Sequence, residues 1–71
     1  MPDIPVLKPS EVIKILQRNG FEIDRIKGSH YVLLNKTNNV RVVVPFHKSD
    51  LPKGTLHEIF KQSGLTEENF R

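Results

Sequence analysis

The sequence predicts an α+β domain in the order α-β-β-β-α, a three-stranded antiparallel sheet with two helices on one face. Three observations predict it. Apolar residues recur at helical spacing near both ends of the chain and alternate with period two in the middle. Short turns separate the alternating runs, which suits an antiparallel meander, because parallel pairing needs crossovers of a dozen residues or more. Two amphipathic helices and one small sheet bury the most apolar area when both helices cover the same sheet face. The other face is then left to solvent or to a partner.

Each element has a local reason. Residues 1–9 read as an extended lead-in, since Pro2, Pro5 and Pro9 each push the preceding residue out of the helical region. Ser10 is placed to cap a helix running to about Asn19, with Val12, Ile13, Ile15 and Leu16 on its apolar side. Gly20 ends it, and Phe21 is positioned to fold back on Leu16. Phe21, Ile23 and, on strict alternation, Arg25 form one side of a first strand. Gly28-Ser29 breaks it. His30 to Leu34 is a second strand, Thr37-Asn38-Asn39 a turn, and Val40 to Val44 a third strand that Pro45 ends. After a polar loop, Thr55-x-x-Glu58 matches a capping box for a second helix carrying Leu56, Ile59 and Phe60. Gly64 stops that helix, Leu65 is positioned to pack back on Phe60, and Thr66 begins a last turn through Phe70.

At 71 residues the chain makes a single domain, residues 1–71. A domain of this size buries only about 60% of the surface its unfolded form exposes. Its net stability is then about 4–10 kcal/mol. With no cysteine there is no disulfide framework, thiolate metal site or cysteine nucleophile. No apolar run is long enough to span a bilayer. The first ten residues carry an acid and three prolines where a signal peptide needs a basic and then an apolar stretch. The expectation is a cytoplasmic protein with no membrane partner.

The net charge of +3 is unevenly spread. Between residues 25 and 61 seven cations (Arg25, Lys27, Lys36, Arg41, Lys48, Lys53 and Lys61) face only Asp50 and Glu58. A basic segment of this kind suits a phosphate-rich partner, because each neutralised phosphate releases counterions. It also suits plain solubility.

His30 is the most suggestive residue. It follows Lys27-Gly28-Ser29 at the start of a strand. Glycine lets a phosphate approach the backbone, and Ser29 and Lys27 add donors. An imidazole there has the chemistry to take a proton from a ribose 2′-hydroxyl while cations offset charge growing on phosphorus. The plain alternative is a histidine that bonds a neighbouring carbonyl. His47, in Pro45-Phe46-His47-Lys48, is a second acid or base, a phosphate contact or a surface residue. Lys53 precedes Gly54-Thr55 at a helix N-terminus, which favours anions, although a capping box would use some of its donors. His57 reads as a boundary residue. No ligand pattern for a metal, and no cofactor motif, is present.

Taken in order, these pieces resemble the HicA toxins, also called YcfA-like, which are small mRNA interferases of toxin–antitoxin pairs. The resemblance runs through Lys8-Pro9-Ser10-Glu11-Val12-Ile13, Asn19-Gly20-Phe21-Glu22 and Lys27-Gly28-Ser29-His30. It continues through Val43-Val44-Pro45-Phe46-His47, Lys53-Gly54-Thr55-Leu56-x-x-Ile59 and Gln62-Ser63-Gly64-Leu65-Thr66. It implies a double-stranded-RNA-binding-domain-like fold, metal-independent endoribonuclease activity on mRNA with His30 as the catalytic histidine, and inhibition by a HicB-like antitoxin. It adds little for Lys27, Gly28, Ser29, His47, Lys48 and Lys53, whose expected role in holding RNA rests on charge and position. Two other functions fit the same residues: a non-catalytic double-stranded-RNA-binding module, and a protein-interaction domain using the open sheet face.

Overall fold

A computed structural model describes residues 6–65. Its elements are α1 (Pro9–Arg18), β1 (Phe21–Lys27), β2 (His30–Asn35), β3 (Val40–Pro45) and α2 (Lys53–Ser63), in the predicted order. The strands form one antiparallel sheet with β2 in the centre. The last turn expected from Thr66 lies outside the described residues, as does most of the prolyl lead-in.

Alternation sorts the sheet into two faces. Phe21–Asn35–Val40, Ile23–Leu33–Val42 and Ile26–Tyr31–Val44 are cross-strand rows on the helix side. Leu33, Val42 and Val44 have no exposed surface at all, and they join Val12, Ile13, Ile15 and Leu16 of α1 and Leu56 and Ile59 of α2 in one core. Burying each such side chain stabilises the fold by about 1.5–3 kcal/mol. The opposite rows carry Glu22–Leu34–Arg41, Arg25–Val32–Val43 and Lys27–His30–Pro45. No described element covers this second face.

Both helix starts differ from expectation. The N-cap of α1 is Lys8, in extended backbone, with Pro9 as the first helical residue. Proline suits that position because its missing N–H would lack a helical acceptor anyway. Lys8 has no acceptor to offer, so Glu11 does the capping alone: its Oε1 accepts the Lys8 backbone N–H at 2.9 Å. Ser10 therefore lies inside the helix. α2 starts two residues before Thr55, with Pro52 as N-cap and no side-chain capping bond. The expected Thr55–Glu58 box does not form, because Pro52 sets φ at −57° and starts the helix earlier.

The lead-in is anchored at its end. Leu7 is buried and its carbonyl accepts the Leu51 N–H at 2.9 Å, tying the chain start to the loop before α2. Gly20 has φ +94°, and a Cβ there would come within 3.3 Å of the buried Asn35 side chain. The end of α2 uses a hydroxyl relay: Ser63 Oγ donates to the Phe60 carbonyl at 2.8 Å and accepts the Leu65 N–H at 3.2 Å.

Candidate nucleic-acid interface

The candidate face is built on an irregularity in β1. Ile23 pairs with Leu33, but the next pair is Arg25 with Val32, so Asp24 is an extra residue in a β-bulge. The consequence is large because side chains alternate with period two. In an unbroken ladder Arg25 would share the helix side with Ile23, as strict alternation predicts. The bulge turns Arg25 and Lys27 to the open face and puts Ile26 on the helix side, opposite Tyr31. Ile23 and Ile26 remain 40% and 53% exposed, so β1 is far less buried than its alternation suggests.

The open face then gathers charge around His30. Lys27 is the cross-strand partner of His30, and Pro45 flanks it on the other side. Gly28 and Ser29 form the two-residue turn that joins β1 to β2. Gly28 has φ +56° and Ser29 has negative φ, the pattern of a turn that takes glycine first. Lys27, Gly28, Ser29 and His30 are all exposed. The Ser29 carbonyl accepts the Phe46 N–H at 2.6 Å, and Phe46 stacks on Tyr31 with centroids 4.6 Å apart. That stack commits Phe46 to the helix side and fixes the chain just before His47 and Lys48. Both are exposed, at the same end of the sheet as His30.

Lys53 comes from another element. It opens α2, exposed, beside Gly54 and Thr55. Those two residues line a shallow depression with Val43, Glu58, Ile59 and Gln62. The depression is lined by an acid and no base, so it suits a phosphate poorly, and none of its lining residues belongs to the β1–β2 hairpin. His57 is half-buried at a boundary, as expected; its Nδ1 has no protein partner, and its ring lies 6.5 Å from that of Phe60.

Three further residues belong to the face. Arg41 Nη1 donates to Asp24 Oδ2 at 2.8 Å, and Arg25 Nε lies 3.6 Å from the same oxygen. The Arg41 hydrogen bond, opposed by some desolvation, holds the Asp24 carboxyl below its ordinary value of 3.8. The sequence carries a signal for this arrangement. Ile23 and Ile26 are three residues apart, and in a strand an odd separation puts two residues on one side only across a bulge. Among the described residues there is no group of three His, Cys, Asp or Glu side chains placed to hold a metal ion. No described helix is long and apolar enough to cross a membrane.

A family model described as HicA toxin of bacterial toxin–antitoxin matches residues 9–65. The chain belongs to the HicA toxin family. The match spans every described element, from the first residue of α1 to Leu65 beyond α2. No curated protein matches the sequence. As a HicA toxin the chain is one half of a toxin–antitoxin pair, which makes an antitoxin its partner.

Proposed function

We propose that this HicA toxin is a metal-independent endoribonuclease that cleaves mRNA at His30 and is neutralised by a HicB-like antitoxin. The observation that carries the reading is the Lys27–His30 pair. An accessible imidazole stands beside a cation at the end of a tight glycine-serine turn, on a face that no described helix covers.

The chemistry follows from that placement. The neutral imidazole of His30 accepts the proton of a ribose 2′-hydroxyl. The 2′-oxygen then forms a bond to the adjacent phosphorus, and the bond from phosphorus to the 5′-oxygen breaks. The products are a 2′,3′-cyclic phosphate and a 5′-hydroxyl, whose proton comes from His47 or water. Lys27 and the N–H groups of the Gly28-Ser29 turn offset the charge that builds on the phosphate. Lys48 lies at the same end of the sheet to hold the RNA strand, and Lys53 contributes at longer range.

Induced expression tests the proposal. Wild type is expected to arrest growth and deplete transcripts, and His30→Ala to do neither. Equal toxicity of the alanine variant, with RNA still cut, would remove His30 from the mechanism. RNA binding without cleavage by wild type would favour the passive double-stranded-RNA-binding module. Cleavage that stops on adding EDTA would refute the metal-independent route.

A further inference from the structure

We propose that Arg25 and Arg41, braced on Asp24, form a second phosphate subsite on the open sheet face, holding a nucleotide that flanks the one cut. This rests on the reading of His30 as the nuclease centre. Successive rows on one face of a sheet are about 7 Å apart. The row of Lys27 and His30 is followed by that of Arg25, Val32 and Val43, and then by that of Glu22, Leu34 and Arg41. An RNA backbone crossing the sheet from His30 therefore meets Lys27 first and the two guanidiniums next.

The bare ion-pair explanation accounts for less. Exposed pairs of this kind contribute about 0–1 kcal/mol, and a single arginine would satisfy Asp24. Instead both guanidiniums meet at one carboxylate oxygen, with their side chains 59% and 55% exposed. Arg41 binds through Nη1, and Arg25 faces the oxygen through Nε. Each keeps other N–H donors free to turn outward in the planar fork that matches a phosphate. The Asp24 bulge provides the brace and also turns Arg25 and Lys27 to His30's face. Bulges beside functional sites commonly re-aim side chains in this way. Val32 and Val43, in the row of Arg25, leave an apolar floor between the His30 row and the Arg41 row, where a ribose or base can lie while its phosphate reaches the arginines.

The test measures affinity for an unstructured oligouridylate by fluorescence anisotropy, in a His30→Ala background that does not cut it. The pair Arg25→Gln with Arg41→Gln is expected to weaken binding by about tenfold or more. The slope of log affinity against log salt should flatten by about 0.7 for one lost phosphate. Arg41→Lys, which keeps the charge and loses the fork, should fall between. Lys61→Gln removes one positive charge, half that of the double variant, at the far end of α2 and should change binding by no more than about twofold, because salt screens distant charge. Unchanged affinity and slope in the double variant would overturn the subsite even if wild type cuts RNA. So would a loss matched by Lys61→Gln. Loss of antitoxin capture with RNA binding intact would reassign the face to a protein partner. Absence of RNA binding by the parent would defeat the nuclease reading itself, and the subsite with it.

Discussion

Lys27 and His30 face each other as the last pair of the β1–β2 ladder, on the side of the sheet that the helices leave open. Only two residues, Gly28 and Ser29, separate them, so the hairpin turn holds the cation beside the imidazole. The pairing exists because Asp24 is bulged out four residues earlier in sequence order from Gly28.

Deleting Asp24 is predicted to remove the bulge and restore plain alternation. Ile23–Leu33 and Arg25–Val32 would then follow each other directly, so Lys27 would stay opposite His30 and Ile26 opposite Tyr31, while Arg25 and Arg41 would lose their shared carboxylate. Circular dichroism should still report a folded α+β protein. Cleavage of RNA should stay within about tenfold of wild type, short of the roughly 10²-fold loss that a misplaced catalytic neighbour brings. A loss of roughly 10²-fold or more in a folded deletion variant would contradict this register of β1 on β2.

Leu33→Ala is predicted to be among the most destabilising substitutions in the molecule. Leu33 is wholly buried at the centre of β2, between Ile23 and Val42. Truncations of this kind cost about 2–5 kcal/mol. That is a large share of the roughly 4–10 kcal/mol expected for a chain this short. A urea midpoint close to that of wild type would place the core elsewhere.

Two glycines should respond in opposite directions to alanine. Gly20→Ala forces a side chain into φ +94° and against Asn35, and should lower stability by about 1–2 kcal/mol. Gly54 lies within α2, with nothing near its missing Cβ. Gly54→Ala should raise stability by about 0.5–1 kcal/mol. Thermal melts of the two variants should therefore straddle that of wild type.

Asp24 should leave a signature in acid. Its carboxyl is held below 3.8 when folded, chiefly by the Arg41 hydrogen bond. A depressed carboxylate supports the fold above its unfolded value, and that support is lost as pH falls through the folded value. Any stability difference between wild type and Asp24→Asn should thus hold above pH 3.8, shrink as pH falls below that and vanish only beneath the lower, folded value. Carboxyl NMR titration would read the folded value directly, and a value above 3.8 would contradict the contact.

Much of this molecule is legible in its sequence, for physical reasons that differ by element. The stripe of Val12, Ile13, Ile15 and Leu16 and the run from Val40 to Val44 each fit one period only, so their type and facing are plain. The exposed hairpin with Gly28, Ser29 and His30 is equally plain, because few residues other than glycine suit its turn. The facing of Arg25 and Lys27 is not, since one extra residue reverses every side chain beyond it. The trace of that reversal is the odd spacing of Ile23 and Ile26. Helix starts are obscured for another reason: Pro9 and Pro52 fix backbone angles that begin each helix upstream of the more familiar capping residues Ser10 and Thr55. The contact between Asp24 and Arg41 joins residues on the two outer strands, and a spacing rule does not reach across a sheet.

The most direct measurement is the end-group chemistry of a defined RNA after incubation with purified toxin. Wild type should leave 2′,3′-cyclic phosphate and 5′-hydroxyl ends and should spare a substrate carrying 2′-deoxyribose at the cut position. His30→Ala should cut more slowly by about 10²–10⁴-fold. Undiminished cutting by the alanine variant, or cleavage of the 2′-deoxy substrate at the normal rate, would contradict a histidine acting on the ribose hydroxyl.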